Sequence, residues 1–317
     1  RQGRVWSEEI MERILLIQPP SGDVYGKLSR FAGLYPPINL VLMGSWLVRE
    51  RKADVKILDA NACGHDVHYL RMLAGIYKPD TVYITAMTHN FPIANMIADV
   101  LAKERYAVYL GGVHVEAMSG PNNIIDYSRC DDIGIPEYSS LLTYDYPRPF
   151  RQHAFEDFRG PWSPMLSSYG CPGKCIFCNS GGKQAYFHSP EYVRDAVCAL
   201  QRLYGITDIS FVDDNFTARP GADMVTLLEY LKGCRVSFTC NSRVNNFDSS
   251  LAMLLRDAGC RKVMFGVESG NRHIHGILRK GINPDMAARA ITIAHASGLE
   301  VGAYLMAGNP TETEHSL

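Results

Sequence analysis

Cys171, Cys175 and Cys178 stand in the segment Ser167-Ser168-Tyr169-Gly170-Cys171-Pro172-Gly173-Lys174-Cys175-Ile176-Phe177-Cys178-Asn179, a C-x3-C-x2-C spacing. Three thiolates on one short loop can each hold one iron of a four-iron cluster, which leaves the fourth iron without a protein ligand. An open iron can coordinate a further molecule and react, beyond storing an electron. Two plainer readings compete. Structural zinc takes four ligands, commonly as paired C-x2-C knuckles. No second knuckle is present, and His188 is a loose candidate for the fourth ligand. Free cysteines buried for their small apolar volume are the other alternative. The spacing, the aromatic Phe177 inside the triad and a strand just before it favour the cluster.

The elements that must position this loop form the second of two βα alternations. Strands are expected at Met165–Tyr169, Asp208–Val212, Val236–Ser242, Lys262–Glu268 and Glu300–Met306. Between them lie helical patterns at Ala222–Leu231, Ser249–Ala258 and Pro284–Ala296, and one opened by Ser189 as N-cap and Pro190. This predicts a partial (β/α)6 TIM-like barrel, cut off after its fifth strand, with its chemistry at the C-terminal strand ends. The triad follows the first strand, at that end. Period-two reading sets Ser237, Thr239, Asn241 and Arg243 on one face of the third strand, against Val236, Phe238 and Cys240. In the fourth strand Met264, Gly266 and Glu268 oppose Val263, Phe265 and Val267. In the fifth, Gly302, Tyr304 and Met306 oppose Val301, Ala303 and Leu305. The mixed faces are expected to line a lumen.

The first alternation runs over residues 13–144, after an N-terminal extension at 1–12. Strand patterns fall at Ile14–Gln18, Val55–Leu58, Thr81–Ala86, Ala107–Leu110 and Asp132–Ile135. Helical stretches at Leu40–Val48, His65–Tyr77 and after Pro92 separate them. The α/β fold expected here is a doubly wound, flavodoxin-like sheet of five parallel strands. Residues 145–164, rich in proline, read as a linker to residues 165–317.

The triad and its strand-end position resemble the radical S-adenosylmethionine (SAM) enzymes, on Cys171, Cys175, Phe177 and Cys178. The resemblance implies a 4Fe-4S cluster whose open iron is chelated by SAM. Electron transfer into the sulfonium would then release a 5′-deoxyadenosyl radical that abstracts hydrogen from substrate. It also implies SAM contacts at Phe177, at Asp213 and Asp214, at Arg243 for the carboxylate, at Glu268 for the ribose and at Gly308 beside the adenine; Asp214 shares the strand face of Ser210 and is preferred over Asp213. Turn, salt-bridge and strand-end solvation roles are the plain alternatives for these residues.

The upstream half is similar to the cobalamin-binding domain that precedes the barrel in a large radical SAM subfamily. The matching pieces are Gln18-Pro19-Pro20, Tyr35-Pro36-Pro37, Ala86-Met87-Thr88-His89, Gly111-Gly112-Val113-His114 and Gly134 with Glu137. The resemblance implies corrin contacts at Met87, Thr88, His89, Gly111, Gly112 and Gly134, all at C-terminal strand ends. Ile135 and Pro136 depart from the subfamily's Gly-Glu-Gly-Glu turn. Asp66-Val67-His68 reads as a helix start, with no cobalt-ligating histidine motif. The combined resemblance implies cobalamin-dependent methyl transfer to an unactivated centre of a small molecule or peptide, with an electron donor such as flavodoxin or ferredoxin. Cyclisation or rearrangement, radical chemistry without methyl transfer, and a non-catalytic metal or iron–sulfur module are the alternatives.

The totals set bounds. The 317 residues suffice for two domains, and the net charge of −1 gives no phosphate-tracking surface, so no nucleic-acid partner is expected. No apolar run of about 18 or more residues appears, so neither a membrane span nor a membrane partner is expected. Nine cysteines, an odd number, fit a reducing cytoplasm. Cys63, Cys130, Cys198, Cys234, Cys240 and Cys260 are expected to be small, partly buried residues.

Overall fold

The computed structural model describes residues 11–21, 35–119 and 160–314. The chain divides into two compact units, one within residues 1–146 and the other mainly within 147–317.

In the first unit β1 (Arg13–Gln18), β2 (Asp54–Asp59), β3 (Thr81–Thr85) and β4 (Ala107–Gly111) form one parallel sheet in the order β2-β1-β3-β4. Helices on both faces bury a continuous apolar run, which is why Ile14, Leu15, Leu16 and Ile17 are all buried without alternation. The expected fifth strand, Asp132–Ile135, lies outside the described residues. Helix α1 (Ile38–Arg51) is longer than the expected Leu40–Val48. The stretch expected as one helix from His65 is preceded by a short turn of helix, α2 (Ala60–Cys63). Asp59 caps α2 by accepting from Ala62 N, and Gly64 ends it in the left-handed conformation. Helix α3 (Val67–Tyr77) then starts at Asp66, whose carboxylate accepts from Tyr69 N at 2.9 Å. That cap explains the Asp66–His68 sequence without a metal role. Helix α4 (Phe91–Lys103) buries Ala94, Ile97 and Leu101 against Val82 and Ile84, and α5 (Val113–Ser119) follows β4.

In the second unit β5 (Trp162–Met165) opens a five-stranded parallel sheet. It pairs with β8 (Asp208–Phe211), which pairs with β9 (Ser237–Ser242), β10 (Cys260–Glu268) and β11 (Glu300–Leu305) in turn. The first strand was expected at Met165–Tyr169 and instead starts inside the stretch expected as linker. Proline donates no ladder hydrogen bond, yet β5 lies at the sheet edge, where Pro164 costs nothing. Ser168–Tyr169 forms a separate strand, β6, antiparallel to β7 (Tyr186–Phe187). The triad loop is therefore the crossing between β6 and β7.

Helix α6 (Pro190–Tyr204) starts as expected: Ser189 Oγ accepts from Tyr192 N at 3.2 Å and Pro190 takes the first turn. Its buried stripe is Val193, Ala196, Val197 and Leu200. Helices α7 (Gly221–Cys234), α8 (Ser249–Asp257) and α10 (Pro284–Ala296) alternate with the strands. A further helix, α9 (Arg272–Leu278), was not expected. Asn271 caps it, accepting from His273 N and Ile274 N. Among the described residues no helix is long and apolar enough to cross a membrane.

Candidate active site

The C-terminal ends of the second unit's strands enclose a cavity of about 260 Å³. Cys171, Cys175, Phe177 and Cys178 line it from the loop side. Asp213 and Asp214 enter after β8, Asn241 to Arg243 from β9, Met264, Gly266 and Glu268 from β10, and Tyr304 from β11. Asn241, Arg243, Met264, Gly266, Glu268 and Tyr304 are the residues assigned to the lumen face by period two. Tyr304 Oη donates to Asn241 Oδ1 at 3.2 Å across β10, and Asn241 Nδ2 to the Asp213 carbonyl at 3.0 Å, so β11, β9 and the end of β8 share one polar wall.

The triad loop is built tightly. Cys171 and Cys175 are buried and Cys178 is exposed. A Cβ on Gly181 would stand 2.8 Å from the Cys175 carbonyl and 3.1 Å from that of Cys178. Such a cradle admits only glycine. Among the described residues no three or more Cys, His, Asp or Glu side chains converge as for a single metal ion. The three thiols border the cavity.

The two aspartates after β8 part company. Asp213 is fully buried, and its Oδ1 accepts from Ser167 Oγ at 2.7 Å and Ser168 Oγ at 2.5 Å, while Ser167 N donates to the same carboxylate. Burial pushes its carboxyl up, and the serine hydrogen bonds and Arg219 pull it back. Arg219, also buried, donates to the carbonyls of Ser167 (2.8 Å) and His188 (2.6 Å). This network ties both ends of the triad segment to the second strand. Asp213 is thus an anchor, and Asp214, exposed on the cavity wall, is the one free to meet a ligand.

Glu268 is buried and forms an ion pair with Lys280 at 2.7 Å; its backbone has φ of +65°. A non-glycine residue held in that left-handed conformation at a strand end is strained. Lys280, which sequence reasoning missed, follows α9 and also lies 5.7 Å over the Phe177 ring. Nothing in a lone lysine after an unexpected helix signals burial in a site. Gly308 lies outside the cavity lining, in a turn where Glu312 accepts from Gly308 N and Asn309 N.

In the first unit the order β2-β1-β3-β4 places the topological switch between β1 and β3. Ser21 lies beyond β1 and Met87, Thr88 and His89 follow β3, with Gly111 and Gly112 at the end of β4. Ser21 Oγ is 3.2 Å from His89 Nε2 and accepts from Asn90 Nδ2 at 3.2 Å, while Ser21 N donates to Asn61 Oδ1. Burial lowers the His89 pKa, which favours the neutral ring. The two glycines differ. A Cβ on Gly112 would meet Ala86 O at 2.6 Å, so that glycine, at φ of +98°, serves β3–β4 packing. Gly111 faces open space, with nothing within 4 Å of an added Cβ. Gly134 lies outside the described residues.

Cys198 departs from expectation. It is exposed on α6, with its Sγ 3.7 Å from that of Cys234 at the end of α7. It sits off the buried stripe of α6, where the helix meets its neighbour's edge. Cys130 lies outside the described residues.

A family model described as the radical SAM superfamily matches residues 165–317. A Pyrococcus horikoshii protein named uncharacterized methyltransferase PH0819 is 28% identical, over 96% of this chain and 76% of that protein. The cytidylyl-2-hydroxyethylphosphonate methyltransferase of Streptomyces wedmorensis is 26% identical over 61% of this chain and 36% of its own length. The fold is shared with the methyltransferase TsrM from Kitasatospora setae, solved with cobalamin and a 4Fe-4S cluster: TM-score 0.71, 16% identity, 97% of this chain and 69% of that one. It is shared also with the cobalamin-dependent SAM radical enzyme OxsB, at TM-score 0.69 and 14% identity, over 93% of this chain. This chain spans about half of OxsB, 49% of its length. The second unit of this chain, from Met165 onward, is a radical SAM domain.

Proposed function

We propose that this chain is the cobalamin- and SAM-binding part of a radical SAM methyltransferase acting on an unactivated centre of a small molecule or peptide. The observation that carries the reading is that Cys171, Cys175 and Cys178 open onto the same cavity as Asp214, Arg243 and Glu268. When bound, the cluster, SAM and corrin supply one-electron chemistry and a methyl carrier. In this reading the three thiolates hold a 4Fe-4S cluster and leave one iron open toward the cavity. Asp214 accepts from the SAM amino group, and N–H groups of Arg243 not used by the protein meet its carboxylate. Glu268 accepts from ribose hydroxyls, and Phe177 shields the cluster side from water. The strand-end residues Ser21, Met87, Thr88, His89 and Gly111 hold the corrin. The names of the methyltransferase relatives and the fold shared with OxsB and TsrM support this assignment. An electron donor such as flavodoxin or ferredoxin completes it.

Anaerobic reconstitution tests the proposal. The expected results are about four irons per chain, a retained corrinoid spectrum after desalting, and 5′-deoxyadenosine on reduction with SAM. Cys175→Ala is expected to abolish the nucleoside product. A product unaffected by Cys175→Ala, or one zinc and no sulfide in the native protein, would refute the radical reading. An absent corrinoid band would remove methyl transfer and leave radical chemistry of another kind.

A further inference from the structure

The three cluster thiols have different neighbours. Cys171 Sγ accepts from Gly173 N of its own loop at 3.4 Å. Cys175 Sγ accepts from a cation on another strand end: Arg243 Nη1 donates to it at 3.4 Å. Cys178, the third, is exposed.

Arg243 is held for this contact. Its Nε donates to Asn245 Oδ1 at 3.3 Å, and its Nη2 donates to the Lys280 carbonyl. The loop leaves room for it at Gly173, where a Cβ would stand 2.7 Å from Nη1. The partners of its three nitrogens are an amide oxygen, a sulfur and a carbonyl oxygen, none of them a carboxylate. The neighbouring cation, Lys280, is already neutralised by Glu268. Among the described residues no carboxylate pairs with Arg243, so the cation at Cys175 is its guanidinium.

We propose that Arg243 sets the reduction potential of the cluster through Cys175, a role that rests on the cluster reading above. Reduction adds one electron to a cluster already bearing anionic sulfur. A cation donating to one of those sulfurs stabilises the reduced form more than the oxidised form and raises the potential. The effect enters through Cys175, because among the described residues that thiol alone meets a guanidinium. Arg243 acts here as a positioning and tuning residue, distinct from any contact it makes with SAM.

The test is a redox titration of the reconstituted full chain, without SAM, followed by the electron paramagnetic resonance signal of the reduced cluster. Arg243→Gln is expected to lower the equilibrium constant for reduction about tenfold, which is about 59 mV for one electron, with iron content near wild type. Arg243→Lys keeps the charge but not the fork and is expected to recover most of that loss. Should Arg243→Gln hold no cluster, Asn245→Ala carries the test: it loosens Nε, and the potential is expected to fall in the same direction by a smaller factor. A purely structural role would lower iron content and leave the potential of the remaining clusters unchanged; that result overturns the proposal while the cluster reading stands. Wild-type protein that forms no cluster overturns both.

Discussion

Replacing Lys280 by Met should destabilise the second unit by about 3–5 kcal/mol, and replacing Glu268 by Gln as well should return most of that loss. Lys280 Nζ lies 2.7 Å from Glu268 Oε1, and the two side chains are 7% and 8% exposed. At that separation unit charges attract by roughly 6 kcal/mol for an effective dielectric of about 20. Desolvation of both ions opposes most of this attraction, so the pair adds little net stability. Losing one partner is different. Lys280→Met removes the attraction and leaves the Glu268 carboxylate buried at a strand end whose backbone is already strained. The double variant removes both charges and with them the uncompensated burial. The measurement is native-state hydrogen exchange of the β10 and β11 amides in urea, which reads the second unit by itself. Single losses that simply add in the double variant would refute the reasoning, since uncoupled side chains give additive costs.

Gly181→Ala should weaken iron retention about 10-fold or more, because its Cβ would meet only backbone carbonyls, which cannot yield; iron analysis after reconstitution and desalting checks it, with circular dichroism unchanged. Gly112→Ala should cost the first unit about 1–3 kcal/mol through its positive φ and the contact with Ala86 O, read from hydrogen exchange in β3 and β4. The Cys234 thiol is pushed up to about 11 by burial and by the neighbouring Cys198. Its alkylation by iodoacetamide should therefore be slow at neutral pH and climb through the alkaline range, because only the thiolate reacts. Cys198→Ser should move that profile to lower pH, as mapped by mass spectrometry of the alkylated peptides.

The lumen face of β9, β10 and β11 was legible because strand side chains alternate strictly, so Asn241, Glu268 and Tyr304 could be assigned before any packing was known. The buried run in β1 was legible as an unbroken apolar stretch, and the caps at Asp66 and Ser189 as polar residues ahead of helical patterns. The start of β5 was hidden by Pro164, which reads as a break until the strand is known to be an edge. Helix α9 was hidden by its brevity.

The sequence by itself determined the spacing of the triad and the alternation of strands and helices, since both are properties of neighbours along the chain. The sequence already preferred Asp214 over Asp213, and the tertiary structure supplied the physical reason. Asp213 and Asp214 are adjacent in sequence, yet Asp213 is committed to Ser167 and Ser168 of another strand's loop. Only the structure set Lys280 against Glu268 and Arg243 against Cys175, contacts that span 12 and 68 residues of chain. Burial, charge compensation and hydrogen bonding between distant segments depend on how strands stack, and no local pattern encodes them.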